Sequence, residues 1–149
     1  MAEPGAMYMA ALDAWREKAN GGMVALARQS IYDICVNVVL DTPVDTGFLR
    51  GGWQPNIGGI LDALGKGSQG FDKGGAMATA AVGLKMVDLE VGDTFYMTNR
   101  TAYALRLEFG FVGEDSLGRH YNQAGRYYVT NNVARWQLVV EHRAKQIWG

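Results

Sequence analysis

Cysteine is nearly absent from this chain: Cys35 is the only one among 149 residues. An internal disulfide is therefore excluded, and the usage suits a reducing compartment such as a bacterial cytoplasm. Histidine is almost as scarce. His120 and His142 fall on different expected elements without metal-ligand spacing, so a three-histidine zinc site is excluded. Charge of one sign is lacking too. The 14 basic and 15 acidic residues leave a formal net charge of -1, and no strong field marks a nucleic-acid or membrane partner. No stretch approaches the ~20 apolar residues of a membrane span. Asp13, Arg16, Glu17 and Lys18 stand where a signal peptide would need an apolar core. What remains, 48% hydrophobic and 19% charged residues, is the composition of one soluble globular domain over residues 1–149.

Periodicity predicts the elements. Val24, Ala27, Ile31, Ile34 and Val38 recur at three- and four-residue spacing, the apolar stripe of a long helix over residues 8–40. Gly21-Gly22 should bend or split it, and residues 1–22 read as an N-terminal extension. Pro43 should close the helix by disfavouring helical geometry at Thr42. Thr42-Pro43-Val44-Asp45-Thr46-Gly47 is then turn chemistry, with Asp45 placed to accept backbone amides and Gly47 able to take positive φ. A strand is expected over 53–57, at a sheet edge because Pro55 cannot donate. Residues 58–75 hold seven glycines and read as a long loop with few apolar anchors. A helix over 76–89 should set Met77, Ala80, Leu84 and Val87 on one face. A strand over 94–98 follows, then a short helix over 102–109 ended by Gly110, and a second polar loop over 113–124. The last helix, 126–148, repeats apolar residues at Val129, Val133, Trp136, Val140, Ala144 and Ile147, with Trp136 placed for core, interface or both, and carries four basic residues on a cationic face against Glu141 alone. Long N- and C-terminal helices against a small antiparallel sheet, with two long polar loops, make an α+β fold.

Few residues are arranged for chemistry. Gly65-Lys66-Gly67-Ser68 fails as a phosphate-binding loop, because Ile60 stands where the earlier glycine belongs and Gly67 where Ser or Thr should follow the lysine. His120 lies near Asp115 and Ser116, the ingredients of a hydrolase triad, but without a nucleophile elbow or an oxyanion hole. Cys35, beside Ile31 and Ile34, is expected to be a buried, inert thiol. No catalytic, cofactor-binding or metal-binding residue is expected, and a non-enzymatic role follows. A small enzyme built on the His120 loop and a nucleic-acid-binding module using the cationic face are the weaker readings.

Two segments carry specific information. One is Thr42-Pro43-Val44-Asp45-Thr46-Gly47-Phe48-Leu49-Arg50. The other runs from Thr98 through Asn99, Tyr103, Ala104, Leu107, Glu108 and Phe109 to Gly110. In this order they resemble a family of small neck or tail-completion proteins of long-tailed bacteriophages. That family shows a Thr-Pro-Val-Asp-Thr-Gly-x-Leu-Arg turn and later an Asn-x-x-x-Tyr-Ala-x-x-Leu-Glu-x-Gly stretch, then a glycine and a C-terminal helix, matched by Gly125 and the helix from Arg126. The glycine-rich 58–75 loop and the pair Tyr127-Tyr128 depart from the pattern.

The resemblance implies a ring of copies of this chain, a hexamer or dodecamer, around the DNA channel in the neck of a virion assembled in the host cytoplasm. The ring would join the head to the tail, contacting other connector and tail proteins, with DNA only as passing cargo. A tail-terminator or minor tail ring is the alternative. The residues expected to matter are architectural or interfacial. Asp45, Thr46 and Gly47 form the turn. Tyr103 and Leu107 should share a helical face. Glu108 should bond the turn or pair with an arginine such as Arg50, and Gly110 should end the helix. Tyr127, Tyr128 and Trp148 exceed what the surface of a small monomer needs.

Overall fold

The computed structural model describes residues 3–61 and 71–149. The Gly65–Ser68 stretch and the interior of the first glycine-rich loop lie outside the described residues.

Helix α1 runs unbroken from Pro4 to Asp41. Gly21-Gly22 therefore neither bends nor divides it as expected. A Cβ at Gly22 would lie 2.8 Å from the Trp148 ring, so this glycine seats the C-terminal tryptophan. The glycine penalty of about 1 kcal/mol each falls within a helix whose second half is fixed by tertiary packing. Thr42 ends α1 in extended geometry, as the residue before a proline should, and its amide still bonds Val38 O. Against the sequence expectation, an 18-residue stretch of α1 reaches a mean hydropathy of 1.4, so by length and composition it is apolar enough to cross a membrane. Its buried residues, Ser30, Cys35, Val38 and Val39, all lie in the C-terminal half, which packs on α3 and α6.

After the turn, a short α2 (Phe48–Gly51) leads into β1 (Trp53–Ile57). β1 pairs antiparallel with β2 (Phe95–Asn99), in a register from Trp53↔Asn99 to Ile57↔Phe95. In a two-stranded sheet every strand is an edge, which accommodates Pro55. Between them, α3 (Ala76–Asp88) crosses the sheet and α1. Its inward face is not the expected one: Ala78, Val82 and Met86 are buried, while Met77, Ala80, Leu84 and Val87 point outward. α3 is apolar on both stripes, and periodicity alone does not choose between them. Val38, Val39, Leu49, Trp53, Ala78 and Tyr128 form one core cluster and Cys35, Val82, Met86 and Leu89 a second, with Met97 packed against both.

The short helix is α4 (Ala104–Phe109), ended by Gly110 at φ 86°. The expected polar loop over 113–124 is instead a hairpin, β3 (Gly110–Glu114) with β4 (His120–Ala124). Most of β4 is wet on both faces, so no hydrophobic alternation announced it. Phe111 and Tyr121 pack across the hairpin, and Arg106 lies over the Phe111 ring. The last helix also starts later than expected and is divided, into α5 (Thr130–Ala134) and α6 (Trp136–Trp148). The amides of Arg126 and Tyr127 bond Leu107 O and Glu108 O at 2.8 and 3.0 Å, and Tyr127 has φ 51°, so this segment is held to α4 and is not helical. The architecture is α+β, long helices at both ends around small antiparallel strand pairs, as the sequence predicted.

Candidate functional site

The two motif segments meet. Asn99 Nδ2 donates to Leu49 O at 2.7 Å across fifty residues of chain, while its Oδ1 accepts from the Thr101 amide at 3.1 Å. A Cβ on Gly52 would collide with Asn99 Oδ1 and Thr101 Oγ1 at 2.8 Å, so the segments touch through a position without a side chain. The Trp53 ring stands edge-on to Tyr128, 6.4 Å between centroids, and its indole donates to Thr42 Oγ1 at 2.9 Å. That hydroxyl in turn donates to Val38 O at 2.6 Å, in the last turn of α1. The chain is buried throughout and satisfied at each step.

Arg50 ties the turn together. It donates to Leu40 O and Thr42 O, at 2.7 and 2.9 Å, and to Lys73 O. A guanidinium on the last carbonyls of α1 offsets the negative end of the helix dipole. Arg50 therefore does not pair with Glu108. Gly47 has φ 91°, and its carbonyl accepts from Gly51 and Asp72 at 2.9 and 3.0 Å. A Cβ there would lie 2.5 Å from Lys73 N, so only glycine lets the 71–75 segment approach. Asp72, buried, accepts the Ala78 amide at 2.9 Å and caps α3, and Phe71 packs on Phe48. The C-terminal end of the expected loop is thus anchored, with both an aromatic and a buried carboxylate. Asp45 is exposed, and the Phe48 amide goes to Thr46 Oγ1 at 3.3 Å, so Thr46 supplies the bond expected of Asp45.

Glu108 is only 4% exposed. It accepts the amides of Val129 and Thr130 at 3.0 and 2.8 Å and the Thr130 hydroxyl at 2.6 Å, capping α5 from a distant part of the chain. Burial pushes its carboxyl up, but these hydrogen bonds together outweigh burial and hold it below the usual glutamate range. Gly110 and Gly125 let the two strands beside it close: a Cβ at either would sit 2.5–2.6 Å from backbone oxygen of Gln123 or Glu108. Asn132, buried, donates to Tyr128 O and to Asp41 at the end of α1, at 2.7 and 2.9 Å. Sequence reasoning missed Asp72 and Asn132, and it placed Asn99 in a motif without its partner. Asp72 bonds an amide six residues on, whereas Asn99 reaches Leu49 O and Asn132 reaches the Asp41 carboxylate, fifty and ninety-one residues away, which no local pattern reveals.

The aromatic residues divide. Tyr128 belongs to the core, not to an interface. It is buried, donates to Ala104 O at 3.0 Å, and burial, with Glu108 and Tyr103 behind it, pushes its phenol up to about 12. Tyr127 is exposed and stacks edge-on with Phe109. Tyr103 precedes α4 and is exposed, whereas Leu107 packs on the core, so the two do not share an inward face. The Tyr103 phenol is also raised, by burial first and then by Asp45, which places the two motifs within electrostatic reach. Trp148 is exposed except where it covers Gly22.

The groups suspected of chemistry are occupied elsewhere. His120 faces Glu114 at 3.1 Å on the exposed hairpin. Asp115 organises the turn: it accepts the Arg119 and Leu117 amides, the Arg119 guanidinium and the Tyr121 hydroxyl, and the Arg119 amide leads the bonds that keep its carboxyl low. Cys35 is buried, and burial pushes its thiol up to about 12. Arg143, counted on the cationic face, forms a two-pronged pair with Asp33 at 2.6 and 2.7 Å. A cleft of about 600 Å³ opens beside the second motif, lined by Trp53, Met97, Leu105, Glu108 and Tyr128 among others. Its carboxylate is the capping Glu108, already fully bonded. No group of three or more metal-ligating side chains occurs among the described residues.

No protein-family model, curated protein or solved structure matches the chain.

Proposed function

We propose that the chain is a structural subunit of a tailed-bacteriophage particle, one that assembles with copies of itself into a ring at the neck and joins the head to the tail. The observation that carries the reading is the meeting of the two motif segments. The segments that resemble the neck family, far apart in the chain, are bonded through Asn99 and Leu49 and braced by Arg50, Thr42 and Glu108. Their polar groups go into holding α1, α2, α4 and α5 in fixed relation, which is what a subunit under mechanical load requires. Exposed apolar side chains on other faces, among them Met77, Leu84, Val87 and Leu138, suit contact with neighbours. On this reading the partners are further copies and the adjoining connector and tail proteins, DNA passes through as cargo, and no cofactor, metal or substrate takes part. A tail-terminator or minor tail ring would use the same brace with different neighbours.

Inactivating the gene in the phage that carries it is the test. Negative-stain images should then show filled heads and finished tails that have not joined, with joining restored by supplying the chain in trans. Normal joined particles without the chain would overturn the proposal.

A further inference from the structure

Helix α6 lies along α1 in the opposite direction. Asn132, just before it, meets Asp41; Arg143 meets Asp33; and Trp148, its last residue, lies over Gly22. α6 ends there, but α1 continues as an arm over residues 4–21, about 27 Å at ~1.5 Å per residue. Two stripes of α1 run into that arm and change differently. The core-facing stripe of Val24, Ile31 and Val38 becomes Asn20, Glu17 and Asp13, as a face in water should. The stripe that faces α6, through Asp33, Gln29, Leu26 and Gly22, continues at the same alternating spacing of four and three as Ala19, Trp15, Leu12 and Tyr8. The track along which α6 packs, polar at Asp33 and Gln29, therefore becomes apolar beyond the point where α6 stops.

Tyr8 and Trp15 are 68% and 65% exposed, and Met23, one turn on from Ala19, is 51% exposed. Together they leave roughly 400 Å² uncovered on this face, judged from ordinary side-chain areas. That is about half of the ~800 Å² each partner gives to a stable protein interface. The arm's polar face carries Asp13 and Glu17 against Arg16 and Lys18, with Arg16 paired to Asp13 at 3.5 Å. Such a balanced face lacks the excess of Lys and Arg that anionic lipid or nucleic acid demands. Its complement is an apolar protein surface, and the body of the same fold offers one. A groove of about 190 Å³ between α1, β2 and the α5–α6 junction is lined by Ile31, Ile34, Cys35, Phe95, Val133 and Trp136, all apolar. A chain's own arm is the continuation of the helix that forms one wall of this groove, so it cannot enter without breaking α1.

We infer that the Tyr8–Leu12–Trp15–Ala19 stripe of one copy docks into the Ile31–Val133–Trp136 groove of a second copy, head to tail. Two different patches meet in such a contact, so each subunit keeps one free arm and one free groove, and the series closes into a ring or extends as a filament. Closure into a ring rests on the proposed neck role; the docking itself does not.

Three measurements on the purified full-length chain at high concentration test it. A photo-crosslinker in place of Trp15 (Trp15→benzoylphenylalanine) should join the arm to the segment around Val133 and Trp136 of another copy, giving a ladder beyond the dimer. Trp15→Glu and Val133→Glu should each reduce the sedimenting species to the 16.3 kDa monomer with helicity unchanged. Mixing those two variants should restore one contact per pair and stop at a heterodimer. Arm-to-arm cross-links that stop at dimers, no intermolecular cross-link, or binding to phosphatidylglycerol vesicles in their place would overturn the inference. If the ladder and the heterodimer form but the chain is missing from particle necks, the docking stands and the neck role falls.

Discussion

Replacing Gly47 by alanine tests the brace at its tightest point. Gly47 has φ 91°, where a residue bearing a Cβ incurs about 1–2 kcal/mol. Its Cβ would also lie 2.5 Å from Lys73 N and 2.8 Å from the Asp72 carbonyl carbon, both backbone atoms that cannot rotate away. Displacing the 71–73 segment loosens the Asp72 bond to Gly47 O and the Asp72 cap on Ala78, and overpacking of this kind costs about 1–3 kcal/mol. The sum is about 2–5 kcal/mol, or a fall in Tm of roughly 5–20 °C for a chain of this size. Gly92 supplies the control. It has φ 96° but nothing within 4 Å of a Cβ, so Gly92→Ala should show the conformational strain alone, about 1–2 kcal/mol. Thermal melts and urea titrations of the two variants, side by side, give the difference. Equal losses would refute the close approach between the turn and the 71–75 segment, and with it the reason for glycine in the motif.

Glu108→Gln should cost about 1–2 kcal/mol by weakening the cap on Val129 and Thr130. Because the folded carboxyl is held low, its stabilisation is present above the ordinary glutamate value of about 4.3 and is lost as the pH falls through the folded value. The gap in Tm between wild type and variant should therefore close as the pH is taken down from 4.3, and a gap independent of pH contradicts the assignment. Gly21→Ala meets open space and should stabilise α1 by about 0.5–1 kcal/mol, whereas Gly22→Ala should displace Trp148 and forfeit that gain, seen as a shifted indole resonance by NMR. Cys35, buried and with its thiol pushed up to about 12, should react with a disulfide reagent at pH 8 only at the rate of unfolding, and fast labelling of the native chain would show the burial to be wrong.

Local signals in the sequence suffice where one residue decides the backbone. Pro43 ends α1, Gly47 takes the left-handed turn, and Gly110 ends α4, each from its own stereochemistry. Orientation was harder. α3 carries apolar residues on two stripes, and the one that faces the core is set by the shape of α1 and β1, which no window of sequence contains. The β3–β4 strands are wet and lack alternation, so the sequence does not distinguish the hairpin from a polar loop. Tyr127 and Tyr128 are adjacent and chemically alike, yet one is exposed and the other is core, because a backbone at φ 51° turns them to opposite sides. At the site, the sequence offered one link between the two motifs, Glu108 to the turn or to Arg50, and the structure gives both residues other partners. The bonds that join them run through Asn99 and Leu49 rather than Arg50 and Glu108, since a half-buried amide reaching a carbonyl fifty residues away leaves no local trace.

A reconstruction of the neck of the mature particle tests the central claim most directly. The account predicts this chain in one layer between head and tail, in a closed ring of identical copies around the DNA channel, with the Asn99–Leu49 brace intact in every copy. Density showing a single off-axis copy, or particles whose necks contain none, would contradict it.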